Sequence, residues 1–207
     1  MNQKTKTMIT SLSQLDLNKH YTYADYLLWQ FKERVELLKG RLLPMAAPNV
    51  KHQRISGNLY VLIYKHFSTK KCDVFAAPFD VRLPLPKSKI KGNKIDTVVQ
   101  PDLCVVCDED KLDTQGCVGA PDLVVEILSP GNSKKEMKDK FELYQEAGVL
   151  EYWVIDPEHN LAFAYHLDDT TNRFVSETIF AALTDEDALT SKVFEGLEIV
   201  LKDVFPK

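Results

Sequence analysis

Six consecutive residues, Leu123-Val124-Val125-Glu126-Ile127-Leu128, constrain this chain more than any other stretch. Five of the six are aliphatic and polar residues do not alternate with them, which is the pattern of a strand covered on both faces. The residues that follow extend it into a unit. Ser129-Pro130-Gly131-Asn132 reads as a turn, and Ser133-Lys134-Lys135-Glu136 as a capping box that opens a helix. The stripe of that helix is Met137, Phe141, Leu143 and Tyr144, and Gly148 stands where a C′ glycine ends it. Leu150 to Asp156, dense in Tyr, Trp, Val and Ile, is the next strand. Strand, crossover helix and strand together specify a parallel pair inside a larger sheet.

The rest of the chain supplies that sheet. Residues 1–20 are polar and are expected to form a flexible tail. Tyr23 to Phe31 has the spacing of a short helix, and Val35 to Leu43 reads as a hairpin turning on Lys39-Gly40. From Asn49 to Phe67, apolar residues at Ile55, Leu59, Leu62, Ile63 and Phe67 mark an amphipathic helix with Asn49 as its N-cap. Strand-like runs cover 73–85 (interrupted near Pro78), 97–107 and 122–128, with further strands at 161–167 and 173–180 and strand character at 193–201. A length of 207 residues suits one well-cored domain. The fold class expected is α/β (α+β), with a central mixed sheet flanked by helices and extra strands at both ends.

Composition narrows the function classes. No window approaches the roughly 18 apolar residues of a membrane span, and the polar N-terminal stretch lacks the pattern of a secretory signal, so a cytoplasmic location is the expectation. The formal net charge of −4 gives no global attraction to nucleic acid. A nucleic-acid enzyme would need a local basic patch. Lys87, Lys89, Lys91 and Lys94 form one candidate, and Lys134, Lys135, Lys138 and Lys140 another; solvated loops are the alternative for both. The four cysteines, Cys72, Cys104, Cys107 and Cys117, could form two disulfides, but in an unsecreted chain buried, reduced thiols are expected. Cys104 and Cys107 lie three apart in a strand, on opposite faces, so they are poorly arranged to share one zinc ion.

Glu126 carries the chemical signal. A carboxylate inside so apolar a strand must be paired, protonated or bound to a cation. Asp102 poses the same problem in the neighbouring run. Two carboxylates from adjacent strands can converge on one hard cation with oxygen ligands. A Mg²⁺ ion there would neutralise phosphate charge and lower the pKa of a bound water. Lys140, on the helix that follows the Glu126 strand, is the candidate for electrostatic assistance or for helping to deprotonate that water. Its alternative is a surface lysine paired with Glu136 at i, i+4.

Pro101-Asp102, Pro121-Asp122-Leu-Val-Val-Glu126-Ile-Leu-Ser129-Pro130, Lys140 with Tyr144, Gly148-Val149, and Glu151-Tyr-Trp-Val-Ile-Asp156-Pro157 resemble the Uma-two family, a branch of the PD-(D/E)xK nuclease superfamily described as restriction endonucleases. The likeness runs from Tyr23 to the C-terminal strands and is most specific from Pro101 to Pro157. It implies a restriction-endonuclease-like core of about residues 49–157 within a single nuclease-like domain, 21–207. It makes Asp102 and Glu126 metal ligands, the Ile127 carbonyl a further ligand, and Lys140 the catalytic lysine. Mg²⁺ is the implied cofactor, with Mn²⁺ able to substitute, and nucleic acid, DNA before RNA, the implied partner. One departure matters: two residues after Glu126 the superfamily expects lysine, and this chain has Leu128. Double-strand cutting needs two sites, so a homodimer is the expectation that goes with it.

Four further residues are weighed with these. His52 resembles a histidine usual in the family and would touch metal-bound water or phosphate, or else be a satisfied buried histidine. Asp80 is either an acid standing behind the ligands or a pairing partner. For Glu36, in the first hairpin, a surface role is expected over an approach to the site. Asp122 shares a strand face with Glu126 but lies about 13 Å away, so it reads as a strand-start residue. Tyr144, Tyr152 and Trp153 fall at core spacing, and no phosphate-loop glycine pattern or serine-hydrolase elbow is present. Two other functions stay open: a nuclease fold kept as a binding module without turnover, and a hydrolase of some other phosphodiester.

Overall fold

The structure is a computed structural model that describes residues 8–85, 95–129, 134–181, 184 and 186–205. The first lysine cluster, Lys87 to Lys94, and the turn through Ser133 lie outside the described residues.

The elements follow from the patterns above. After the short helix α1 (Tyr23–Tyr26), strands β1 (Val35–Leu38) and β2 (Arg41–Pro44) form the hairpin, with Gly40 at φ +79°. Helix α2 (Val50–Phe67) starts where the Asn49 side chain accepts the His52 N–H at 2.9 Å, and buries His52, Ile55, Leu59, Ile63 and Phe67 on one face. Full burial of each such aliphatic side chain contributes about 1.5–3 kcal/mol. Then come β3 (Asp73–Ala76), β4 (Val81–Arg82), β5 (Val98–Val99), β6 (Leu103–Val106), β7 (Leu112–Asp113), β8 (Gly116–Val118) and β9 (Leu123–Ile127). Helix α3 (Lys134–Ala147), closed by Gly148 at φ +85°, leads to β10 (Glu151–Asp156), β11 (Leu161–Asp168) and β12 (Arg173–Ala181). The chain ends in β13 (Ala188–Thr190), β14 (Glu198–Val200) and a last turn of helix, α4 (Leu201–Val204).

The central mixed sheet has the order β12-β11-β10-β9-β6-β3, with β9 and β10 parallel and the other neighbours antiparallel. All five residues of β9 are buried. Leu123, Val125 and Ile127 join the core under α2 and α4; Val124 joins a second core that includes Leu143 and Tyr144 of α3. Helices on both faces of a mixed sheet are what the strand–helix–strand pattern required.

A second six-stranded sheet, β2-β1-β5-β4-β8-β7, covers the other side of the α3 core. The runs at 73–85 and 97–107 are therefore not single strands. Each passes from one sheet to the other, turning at the cis Ala77–Pro78 bond and at Gln100-Pro101-Asp102. The β7–β8 hairpin, absent from the sequence reading, closes on Gly116 at φ +129°, where a Cβ would stand 2.2 Å from the Asp80 carbonyl oxygen.

Within residues 8–20, Leu15 is buried with Tyr21 and Leu37, and Ile9 bridges to Trp29. One expectation changes. Cys72 and Cys107 form a disulfide, because the β3–β6 register that pairs Asp73 with Val106 puts the two cysteines opposite each other one step beyond the ladder. Cys104 and Cys117 are free, buried thiols, as expected for all four.

Candidate active site

Asp102 follows the proline corner that leads into β6. The β6–β9 register pairs Leu103 with Val125, and continuing it by one residue brings Asp102 level with Glu126. Asp102 Oδ2 accepts the Ile127 N–H at 2.8 Å and lies 3.3 Å from His52 Nε2. His52 comes from the first turn of α2, so helix, corner and strand meet at one carboxylate. The ring of His52 also interacts with the Ile127 backbone; burial opposes its charged form, but Asp102, the Ile127 backbone and Glu126 together outweigh burial and raise its pKa. Asp102, Glu126, His52 and the Ile127 backbone are thus neighbours.

Glu126 is 8% exposed. Its Oε1 accepts hydrogen bonds from Lys140 Nζ at 2.9 Å and from the Tyr144 hydroxyl at 2.6 Å. Lys140 and Tyr144 are one turn apart on α3, so the crossover helix lays both donors over the strand it follows. Burial, and after it Glu36 and Asp102, pushes the Glu126 carboxyl up to about 7 against the opposing pull of Lys140. For Lys140, burial favours the neutral amine, but Glu126 and Glu36 prevail and hold the ammonium above the ordinary lysine range. Burial, then Glu126, raises the Tyr144 phenol well above its usual value.

Glu36 is the residue that the sequence placed wrongly. It is 2% exposed, not on the surface. Lys140 Nζ lies 3.2 Å from each of its oxygens, and the Gln100 N–H donates to Oε1 at 2.9 Å. The signal was available: Glu36 is an acid within the apolar run Val35–Leu38, the same anomaly that singles out Glu126. Asp80 is a pairing partner one step further out. It accepts from Gln100 Nε2 at 2.8 Å and from the Tyr26 hydroxyl at 3.3 Å. Asp122 accepts the Cys107 N–H at 2.8 Å and plays the strand-start role read for it. Tyr152 and Trp153 are core residues, and Tyr144 is both core and a Glu126 partner. Of the second lysine cluster, Lys140 points inward, whereas Lys138 is exposed beside Glu142.

The donor set can be tested against a divalent cation. Asp102, Glu126 and the Ile127 carbonyl are hard oxygen donors, suited to Mg²⁺. Among the described residues no hydrogen bond falls on Glu126 Oε2; Glu36 and Asp102 both act on the Glu126 carboxyl, and only Glu36 and Glu126 pair with the lysine. No group of three or more His, Cys, Asp or Glu side chains among the described residues could hold an ion unaided. A Mg²⁺ site does not require that, since this ion keeps several waters and takes one or two carboxylates. The residues fit. A cavity of about 630 Å³ lies elsewhere, between the β1–β2 hairpin and α3, lined among others by His20, Lys39, Arg41 and Glu146. None of Asp102, Glu126, His52 or Lys140 lines it.

The fold has a counterpart among solved structures. A crystal structure described as that of "a putative nuclease belonging to DUF820" from Anabaena variabilis superposes with a TM-score of 0.67 at 19% identity, covering 89% of this chain and 97% of that one. Two uncharacterized proteins of Synechocystis sp. are similar in sequence. One, sll1609, is 29% identical over 143 residues, 67% of this chain and 76% of its own length. The other, slr1290, is 27% identical over 149 residues, 70% of this chain and 73% of its own. Residues 23–202 match the family described as "Uma2: Putative restriction endonuclease". That match spans both sheets and every residue of the carboxylate cluster, and the chain belongs to the Uma2 family.

Proposed function

We propose that this chain is a metal-dependent endonuclease that hydrolyses phosphodiester bonds in nucleic acid, with DNA as the expected substrate. The observation that carries the reading is Glu126, a buried carboxylate raised to about 7, level with Asp102 and facing Lys140 at 2.9 Å. Asp102, Glu126 and the Ile127 carbonyl would hold Mg²⁺, with Mn²⁺ able to substitute. Bound there, the ion would supply charge neutralisation at the scissile phosphate and a water of lowered pKa.

The chain's own residues do the rest. His52 Nε2 and the Ile127 N–H bond to Asp102 and fix its orientation before any substrate arrives. Lys140, held charged between two carboxylates, supplies positive potential where negative charge develops on the phosphate oxygens. It takes the part of the lysine that the superfamily places two residues after the glutamate, where this chain has Leu128. Tyr144 keeps Glu126 aligned through its hydroxyl. The proposal includes a cytoplasmic location and a homodimer for double-strand cutting. No helix among the described residues is long and apolar enough to cross a membrane.

A second reading, a nuclease fold that binds without turnover, draws on the closed Lys140–Glu126 pair, which leaves Glu126 little open to solvent. One experiment separates the two. Purified protein is incubated with duplex DNA, single-stranded DNA, RNA and a simple phosphodiester, with Mg²⁺, Mn²⁺ or EDTA, beside the Glu126→Ala variant. Metal-dependent cutting lost in Glu126→Ala is expected. Cutting that survives in Glu126→Ala sinks the assignment of the site, and metal-dependent cleavage of the simple diester alone moves the substrate outside nucleic acid.

A further inference from the structure

We propose that Glu36 is a positioning residue for Lys140, the second carboxylate that keeps the ammonium in place when Glu126 gives its oxygens to a cation. This rests on the metal-centre reading of Asp102 and Glu126. Glu36 belongs to β1 of the second sheet, in a strand whose four residues are all buried. An acid there cannot stand without a partner. Its partners are the Gln100 N–H and Lys140, and Lys140 is 3.2 Å from both of its oxygens. Gln100 is itself fixed: its Oε1 accepts from Arg34 at 2.8 and 3.0 Å, and its Nε2 donates to Asp80 at 2.8 Å. The carboxylate of Glu36 is therefore held by backbone and network, not by its own freedom.

Lys140 lies between two anions at nearly equal range, 2.9 Å from Glu126 and 3.2 Å from Glu36. A cation at Glu126 competes with the ammonium for the same carboxylate. With Glu36 present, Lys140 keeps an anionic partner and remains beside the site. Without it, the ammonium is either left buried and unpaired or stays on Glu126 and opposes the cation. The second sheet thus contributes to the site through one side chain, which gives its attachment over the α3 face a chemical role as well as a packing one.

The full chain, with Lys side chains labelled for NMR, is titrated with Mg²⁺, and the solvent exchange of the Lys140 ammonium protons is followed in wild type and in Glu36→Gln. In Mg²⁺-saturated wild type the ammonium is expected to stay protected; in Mg²⁺-bound Glu36→Gln it exchanges faster, and kcat for cleavage falls about 10–100-fold with KM little changed. Glu36→Asp, which keeps the charge, recovers part of that loss. Loss of Lys140 protection on Mg²⁺ binding in wild type overturns the proposal without any variant, should Glu36→Gln fail to fold. A Glu36→Gln protein of lower melting temperature but unchanged Lys140 protection and kcat also overturns it, leaving Glu36 as structural glue. Wild type that binds no Mg²⁺ sinks the metal-centre reading and this inference with it, whereas failure of the inference alone leaves Glu126-dependent Mg²⁺ binding intact.

Discussion

Asp102 accepts the backbone N–H of Ile127 at 2.8 Å, so the acid at the start of one strand is bonded to the residue that follows the acid of the next. The bond ties the first carboxylate to the backbone that carries the second. It also uses Oδ2, the oxygen nearest His52. Asp102→Ala removes the acceptor and leaves an inter-strand N–H unpaired, which costs about 1–3 kcal/mol. Asp102→Asn keeps an acceptor and loses the charge. Urea denaturation is expected to show the larger loss of stability for Ala, while calorimetry with Mn²⁺ shows binding abolished in both. Equal stability losses would mean that the Ile127 bond contributes nothing.

The Glu126 carboxyl, raised to about 7 by burial, sets a pH dependence in the metal-free protein. Its folded pKa lies above the unfolded value near 4.3, so between these two pH values the folded state binds more protons than the unfolded one. The stability it contributes is fully present below the unfolded pKa and is lost as pH rises through about 7. In EDTA, melting temperature is expected to fall between pH 5 and pH 8, and Glu126→Gln should flatten that slope. An unchanged slope in Glu126→Gln assigns the dependence to another group. Because a cation prefers the deprotonated carboxylate, Mn²⁺ affinity should rise over the same interval.

Lys140→Met tests how much of the fold depends on the central cation. The variant leaves Glu36 and Glu126 buried against each other without the ammonium between them. Breaking a buried pair by removing one partner costs about 3–5 kcal/mol. The loss is expected to be larger at pH 8 than at pH 5, where Glu126 can take up a proton. Mn²⁺ should restore more stability to the variant than to wild type, since a cation then replaces the missing charge. Denaturation curves with and without Mn²⁺ at the two pH values measure both effects.

How much of this was legible follows from where each signal lies. Glu126 and Asp102 stand out because an acid in an apolar strand is an anomaly that needs no structure to see. Glu36 carries the same mark, but a surface role is what a hairpin acid suggests when the sheet that buries Val35–Leu38 leaves no trace in the sequence. That sheet is built in part from two-residue strands, Val81–Arg82 and Val98–Val99, too short to show any periodicity. The two runs that feed it looked continuous, and only the corners at Pro78 and Pro101 divide them. The Cys72–Cys107 bond is fixed by strand register across a separation of 35 residues, which spacing alone does not encode. Tyr144 is core, as its spacing implies, and its second role depends on facing Glu126 one turn beyond Lys140.

The departure at Leu128 offers the sharpest test of how the lysine reaches the site. Leu128 lies two residues beyond Glu126 and packs in the same core as Val124, the face that also meets α3. Residues two apart on a strand share a face about 6.6 Å from each other, within the reach of a lysine stem. A lysine at 128 would therefore bring an ammonium to Glu126 from the strand itself, the place where the resemblance noted in the sequence leads one to expect it. Lys140→Met is expected to lose cleavage, and the double variant Leu128→Lys, Lys140→Met to regain a measurable part of it. Leu128 is half-buried, so the new ammonium has solvent beside it and need not be fully desolvated. Metal-dependent cleavage of DNA by the double variant, compared with Lys140→Met alone, is the measurement. A double variant that folds and binds Mn²⁺ yet stays as inactive as Lys140→Met would show that position matters beyond charge: the approach from α3, braced by Glu36, would then be part of what makes this lysine work.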